Sequence, residues 1–265
     1  MKYYVVDAFT GPGFKGNPAG VCVVDEWPAD SLMQDIAAEN NLAETAFVVK
    51  RNGYYDLRWF TPETEVELCG HATLGTSYVI ANFIEPGIKQ MKFQSNSGVL
   101  TVECIENRFV MDFPVRIPVP VSPPEHLEKI LGARPLEVLL SRDLLVVLES
   151  EEQVRKLNPD FTAMKTLGPG EGVIVTARGE RYDFVSRCFY PKVGIYEDPV
   201  TGWAHCNLIP YWAKQLGKTR MTGAQLSQRG GLVSCELRGA RVGVSGAVRL
   251  YLTGEIQEGS LGRDL

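Results

Sequence analysis

An internal duplication constrains this chain more than any other feature. Tyr55-Asp56-Leu57-Arg58-Trp59-Phe60-Thr61-Pro62 leads into Cys69-Gly70-His71-Ala72-Thr73, and Tyr182-Asp183-Phe184 through Phe189-Tyr190-Pro191 leads into Asp198-Pro199-Val200-Thr201-Gly202-Trp203-Ala204-His205. Each copy is a strand-like run, a proline turn, a polar step containing glycine, and then an apolar helix. Two matched halves that each aim a helix N-terminus predict a pocket between two similar domains, which puts an enzyme first among the functions to consider.

Both helices lack a polar face. Gly70 to Ile84 carries Ala72, Leu74, Tyr78, Val79, Ile80 and Phe83, and Trp203 to Leu216 carries Ala204, Leu208, Ile209, Trp212, Ala213 and Leu216, with Gly217 as a C-cap. A helix apolar all round is buried on every side, so a sheet is expected to wrap each one. Short β-branched and aromatic runs supply that sheet at the spacing of curled antiparallel strands, from Tyr3 to Phe9 through Ala247 to Thr253. Ser31 to Asn40 reads as an amphipathic helix with Ser31 as N-cap. Prolines 114, 118, 120, 123 and 124 mark a crossover, which sets two lobes at 1–117 and 118–265, the last strand being free to return to the first lobe.

The bulk numbers exclude several function classes. A net charge of -5 argues against nucleic-acid binding, which requires concentrated basic surface, and favours a small-molecule ligand. No apolar run approaches the ~20 residues of a membrane span. The first residues enter a strand pattern without the regions of a signal peptide, so a cytoplasmic protein is expected. Six dispersed cysteines are expected as free thiols, and three histidines without zinc-site spacing give no expectation of a metal. Gly11-Pro12-Gly13-Phe14-Lys15-Gly16 matches a dinucleotide fingerprint in letters only. The following Asn17-Pro18-Ala19-Gly20 leads into a strand, where that fingerprint needs a helix to hold the pyrophosphate.

Four places carry candidate chemistry. Glu44 sits among apolar residues where a helix hands over to a strand. Such surroundings disfavour a carboxylate and favour proton transfer; the alternative is a partly exposed acid at a helix end. Cys69, Gly70 and His71 open the first buried helix, where free amides suit a substrate carboxylate. Cys69 is either an activated thiolate or a small packed residue, and His71 either a donor and proton relay or a satisfied structural histidine. Asp198 opens the second copy, with Gly202 exposing backbone amides. It either shares the proton chemistry or caps the helix, and a carboxylate cap stabilises by ~1 kcal/mol. His205 and Cys206 read as core.

Taken together the chain resembles the PhzF family, the phenazine-biosynthesis-type isomerases with the diaminopimelate epimerase fold. The resemblance rests on Asp7-Ala8-Phe9-Thr10, Gly16-Asn17-Pro18-Ala19, Asn41-Leu42-Ala43-Glu44-Thr45-Ala46-Phe47, Phe60-Thr61-Pro62, Leu68-Cys69-Gly70-His71-Ala72-Thr73-Leu74-Gly75, Met111-Asp112-Phe113-Pro114, Glu197-Asp198-Pro199-Val200-Thr201-Gly202 and Ser227-Gln228-Arg229-Gly230-Gly231. These segments run in order through nearly the whole chain.

The resemblance implies an α+β fold of two similar lobes, each an antiparallel sheet curled around a central helix, with the active site in the cleft, and often a homodimer. It also implies proton transfer without a cofactor: Glu44 as general acid/base, His71 and Asp198 assisting, and the backbone at Gly70, His71, Gly202 and Trp203 holding the substrate carboxylate. The expected function is that of an isomerase acting on a small carboxylate-bearing metabolite. The alternatives are a racemase or epimerase at a carbon beside a carboxylate, and a non-catalytic metabolite-binding relative. Two residues depart from the family pattern. Ala43 and Trp203 stand where serine is common, and at position 203 an indole replaces a hydroxyl donor and offers a surface for stacking.

Overall fold

A helix with apolar residues on all sides requires cover on all sides, and the computed structural model of this chain, which describes residues 1–11, 15–105 and 108–257, contains two such helices. They are Gly70–Val79, extended by a π-helical turn at Ile80–Ile84, and His205–Leu216. They belong to different compact units. The first unit comprises Met1–Thr10, Asn17–Asp112 and the segment that begins at Ser245; the second comprises Phe113–Val244 with the described residues of 11–16. The chain thus changes unit just before Pro114 and returns at Ser245. Residues 12–14 of the glycine-rich motif lie outside the described residues, and the motif runs on into the strand Asn17–Val24 rather than a helix.

In the first unit Lys2–Ala8 pairs antiparallel with both Asn17–Val24 and the late strand Val248–Glu255. Asn17–Val24 runs parallel to Glu44–Lys50, because the connection between them carries the helix Asp30–Asn40 and has the length a parallel crossover needs. Glu44–Lys50 turns back into Tyr55–Phe60 as an antiparallel hairpin. The buried helix intervenes, and the chain re-enters as Gln90–Ser95, parallel to Tyr55–Phe60. Antiparallel partners Gly98–Ile105 and Arg108–Pro114 come next.

The second unit repeats that sequence of steps. Leu144–Val147 is parallel to Val173–Arg178 across a connection that carries the short helices Glu151–Lys156 and Phe161–Met164. Val173–Arg178 is antiparallel to Phe184–Tyr190. After the helix His205–Leu216, the strand Arg220–Gln225 lies parallel to Phe184–Tyr190 and antiparallel to Gly231–Arg238. The expectation of a wholly antiparallel sheet is therefore corrected: each unit has parallel pairs at the helical crossover and at the buried helix. The fold class is as expected, a sheet-dominated α+β fold whose units each hold one central helix. Ser31 is not an N-cap; the helix starts at Asp30 behind Ala29 and has no side-chain cap.

Packing around the first buried helix leaves no slack. Val6, Ala19, Ala72 and Leu74 are all fully buried. Gly75 faces strand Lys2–Ala8 so closely that a Cβ there would stand 2.6 Å from Val6 Cγ2. A methyl group there forces the Val6 side chain or the helix to shift within a dense core. Gly75→Ala is expected to lower the free energy of unfolding by about 1–3 kcal/mol, the usual range for overpacking. Val6→Ala in the same chain should give back part of that loss, read from urea unfolding of the two single variants and the double variant. Equal losses in both backgrounds would show that Val6 is not what excludes the methyl group.

Candidate active site

In the first unit the chain delivers four polar side chains to one buried place. Cys69, extended at φ -139° and ψ 110°, precedes the buried helix, and the first intrahelical bond runs from Thr73 N–H to the Cys69 carbonyl at 3.1 Å. The amides of Gly70, His71 and Ala72 come before that bond and have no intrahelical acceptor. Glu44 is the first residue of the strand Glu44–Lys50, opposite Ala19 of the neighbouring parallel strand. Its carboxylate Oε2 lies 3.1 Å from His71 Nε2, with side chains only 12% and 5% exposed.

The other ring nitrogen of His71 is also occupied. Asn17 Nδ2 stands 3.1 Å from Nδ1, and Cys69 Sγ stands 3.4 Å from it. With the Asn17 amide donating to Nδ1, the ring hydrogen resides on Nε2, towards Glu44. Burial pushes the His71 imidazole down to about 3, against a smaller opposing effect of the Pro18 carbonyl. The ring is therefore neutral at any working pH and faces Glu44 as an uncharged donor. The 3.1 Å approach is not aligned as a hydrogen bond.

Glu44, Cys69 and His71 also form the one group among the described residues whose ligand atoms, all within 4.8 Å of one another, could hold a metal ion. The thiol lies against Nδ1 and the carboxylate against Nε2. A single ion would use one ring nitrogen, so one of the two other ligands would have to move to join it.

The second unit builds a different arrangement at the matching position. Asp198 ends the strand Ile195–Asp198 and its Oδ2 accepts from Thr201 Oγ1 at 2.5 Å. Gln225 fixes the loop between them: its Oε1 accepts from Thr201 N at 2.9 Å and its Nε2 donates to the Asp198 carbonyl at 2.8 Å. Asp198 is not a helix cap. The helix begins only at His205, behind Ala204, with no side-chain cap. Residues 202–204 form tight turns in which His205 N donates to the Gly202 carbonyl at 3.2 Å and Cys206 N to the Trp203 carbonyl at 2.9 Å. The amides of Gly202 and Trp203 precede these bonds. Trp203 is half-buried, its ring edge-on to Phe113 at 6.0 Å.

His205 and Cys206 are core residues, 1% and 0% exposed. His205 Nδ1 lies 2.9 Å from the Thr201 carbonyl, and burial brings its imidazole down to about 4 and the Cys206 thiol up to about 12. All six cysteines are thiols rather than disulfides. Asn17 and Gln225 are absent from the sequence candidates. Each reaches its partner across many residues, 54 for Asn17 to His71 and 24 for Gln225 to Thr201, and no local pattern marks such a pair.

The family described as "phenazine biosynthesis-like protein", PhzC-PhzF, matches residues 6–255. Two uncharacterized isomerases of Pseudomonas aeruginosa are 49% and 51% identical to this chain, and each alignment covers 97% of this chain and 98% of the relative. The crystal structure of a PhzF-family phenazine biosynthesis protein from Enterococcus faecalis superposes with a TM-score of 0.94 at 49% identity, covering 97% of this chain and 98% of that one. No helix among the described residues is long and apolar enough to cross a membrane.

The buried neutral histidines couple stability to pH. An unfolded histidine titrates near ~6.5, whereas His71 and His205 do so at about 3 and about 4 when folded. Between those limits the unfolded chain binds protons that the folded chain does not, so stability is full above the unfolded value and falls as pH drops through the window. Each histidine contributes a slope of up to about 1.4 kcal/mol per pH unit there. Denaturant unfolding from pH 7 to 4.5 is expected to show this decline, and His205→Gln to make it shallower. An unchanged slope in that variant would contradict a neutral His205.

Proposed function

The chain belongs to the PhzC-PhzF family of phenazine biosynthesis-like proteins, and from that membership we propose that it is an isomerase that moves a proton on a small carboxylate-bearing metabolite, with Glu44 as the general acid/base. One observation carries this reading: an almost fully enclosed carboxylate 3.1 Å from a neutral imidazole at the start of a buried helix. A carboxylate with an uncharged donor beside it can accept and release a proton without the partner changing charge.

Glu44 takes a proton from one carbon of the substrate, and the bonding electrons pass into an adjacent unsaturated or carbonyl group. The negative charge that develops there is stabilised by the free amides of Gly70 and His71 at the start of the first unit's helix, while the amides of Gly202 and Trp203, ahead of the second unit's helix, are that unit's carboxylate-binding group. The same proton then returns from Glu44 to another carbon, so no atom is gained or lost overall. His71 keeps an uncharged imidazole beside the Glu44 carboxylate, its Nε2 3.1 Å from Oε2, and in the second unit Thr201 and Gln225 hold Asp198 in place for an assisting role.

Glu44→Gln retains the size of the side chain and removes its proton-carrying capacity. Turnover should fall by about 10²–10⁴-fold, the usual contribution of a positioned acid/base. The measurement is proton NMR in D2O on a panel of small unsaturated carboxylates, following deuterium entry and the position of the double bond. A shifted double bond identifies isomerisation, whereas deuterium at one centre with loss of stereochemistry identifies epimerisation. A folded Glu44→Gln protein with full turnover would overturn the assignment.

A further inference from the structure

The second unit contains an arginine with no acidic partner among the described residues, set on Trp203, one of the two residues that depart from the family pattern. Arg116 Cζ lies 4.6 Å from the centroid of the Trp203 ring. No described carboxylate lies within ion-pair distance of it. Its charge reaches Asp143 and Glu171 only as a minor influence on their carboxyls. Arg142 also approaches the Trp203 ring, at 5.5 Å, but its guanidinium is held by Glu171, with Nε donating to Oε2 at 2.8 Å. The neighbouring Asp143 is wholly buried and accepts from Gly172 N at 3.1 Å. Of the two cations around the indole, Arg116 is the one whose charge is not offset at close range.

Its position is fixed from both ends. Helix His205–Leu216 contains Pro210, which has no N–H to give the Cys206 carbonyl one turn earlier. That carbonyl instead accepts the backbone N–H of Arg116 at 3.0 Å, and Val115 N donates to the Ala240 carbonyl at 3.0 Å. The far end of the side chain rests on the indole. Trp203 is held there by its ring contacts rather than its polar edge, since Nε1 is buried and donates to no acceptor among the described residues. An indole that leaves its only polar group unsatisfied, yet carries a guanidinium, acts as a platform for that guanidinium.

We infer that Arg116, carried on Trp203, is the receptor for an anionic group of the substrate, and that this group is a carboxylate. The inference rests on the reading of Gly202 and Trp203 as part of the substrate site. A planar guanidinium presents parallel N–H donors matched to the two oxygens of a carboxylate. One unpaired cation balances one negative charge. A phosphate dianion would add a second charge beside Glu171 and Asp143, which disfavours it. Trp203 then exchanges the hydroxyl donor common in the family for a charged one brought from another part of the chain, so Arg116 is a specificity-determining residue.

The test is a titration of the full-length 15N-labelled protein with benzoate, a planar carboxylate, and separately with inorganic phosphate, at constant ionic strength. The indole resonance of Trp203 is identified by its loss in Trp203→Phe. Benzoate should shift it saturably, Arg116→Gln should weaken that binding at least about tenfold, and Arg116→Lys should weaken it less, because the charge remains while the fork is lost. Phosphate should give no saturable shift. Benzoate affinity unchanged in Arg116→Gln, or phosphate bound as tightly as benzoate, would overturn the inference. If Arg116→Gln does not fold, Arg116→Lys decides: unchanged benzoate affinity overturns it. Arg116-independent binding together with a dead Glu44→Gln sinks this inference alone, whereas Arg116-dependent binding with an active Glu44→Gln sinks the proton-transfer reading alone.

Discussion

Enclosure of a helix that has no polar face is the constraint on which the first unit depends. Gly70–Val79 can exist only with sheet packed around it, and the packing is close enough that a methyl group at position 75 forces Val6 or the helix to shift. Everything chemical at its N-terminus inherits that enclosure. His71 lies in the first turn, so it is desolvated along with the helix and its imidazole is held neutral down to about pH 3. The same covering sheet contributes Glu44 at the first position of one strand and Asn17 at the first position of its parallel neighbour. Burial of the helix and assembly of the polar group are thus one event, because the strands that cover the helix are the strands that carry the side chains.

The duplicated topology shows how little of a site is fixed by the fold. Both units run through the same steps: a parallel crossover, a hairpin, a buried helix, and a return strand parallel to the hairpin's second strand. Their helix starts nonetheless differ. In the first unit Cys69 is extended and the helix opens at once, with His71 in its first turn and the Glu44 carboxylate 3.1 Å from that imidazole. In the second, turns at 202–204 delay the helix to His205, and the buried polar group is a Thr201–Asp198–Gln225 clasp. Local backbone and side-chain chemistry, not topology, separate the two.

Much of the architecture was legible because periodicity reports burial. The apolar circumference of both central helices and the alternating strands between them are local patterns, and the structure has elements there. What was not legible depends on who meets whom. The parallel pairs at Asn17–Val24 with Glu44–Lys50 and at Leu144–Val147 with Val173–Arg178 arise from crossover geometry, which strand composition does not encode. Ser31 and Asp198 have the chemistry of helix caps, but one helix starts a residue earlier and the other several residues later, where no side chain caps it. Glu44 stood out through its apolar neighbours, whereas Asn17, Gln225 and Arg116 act on partners distant in sequence and carry no local mark.

Position 203 shows how one residue can change the electrostatics around it without a new charge at the position itself. A serine hydroxyl acts through its own donor. An indole has one N–H, here directed into the interior, and two faces of negative potential that attract cations. Placing that ring where Pro210 has already freed the Cys206 carbonyl to anchor Arg116 gives the guanidinium a seat at both ends of its residue. The helix-breaking residue and the aromatic residue are separate sequence features with separate local meanings. Only when the helix start, the Arg116 segment and the indole are brought together do they compose a single cationic surface, whose charge comes from a residue that neither feature contains.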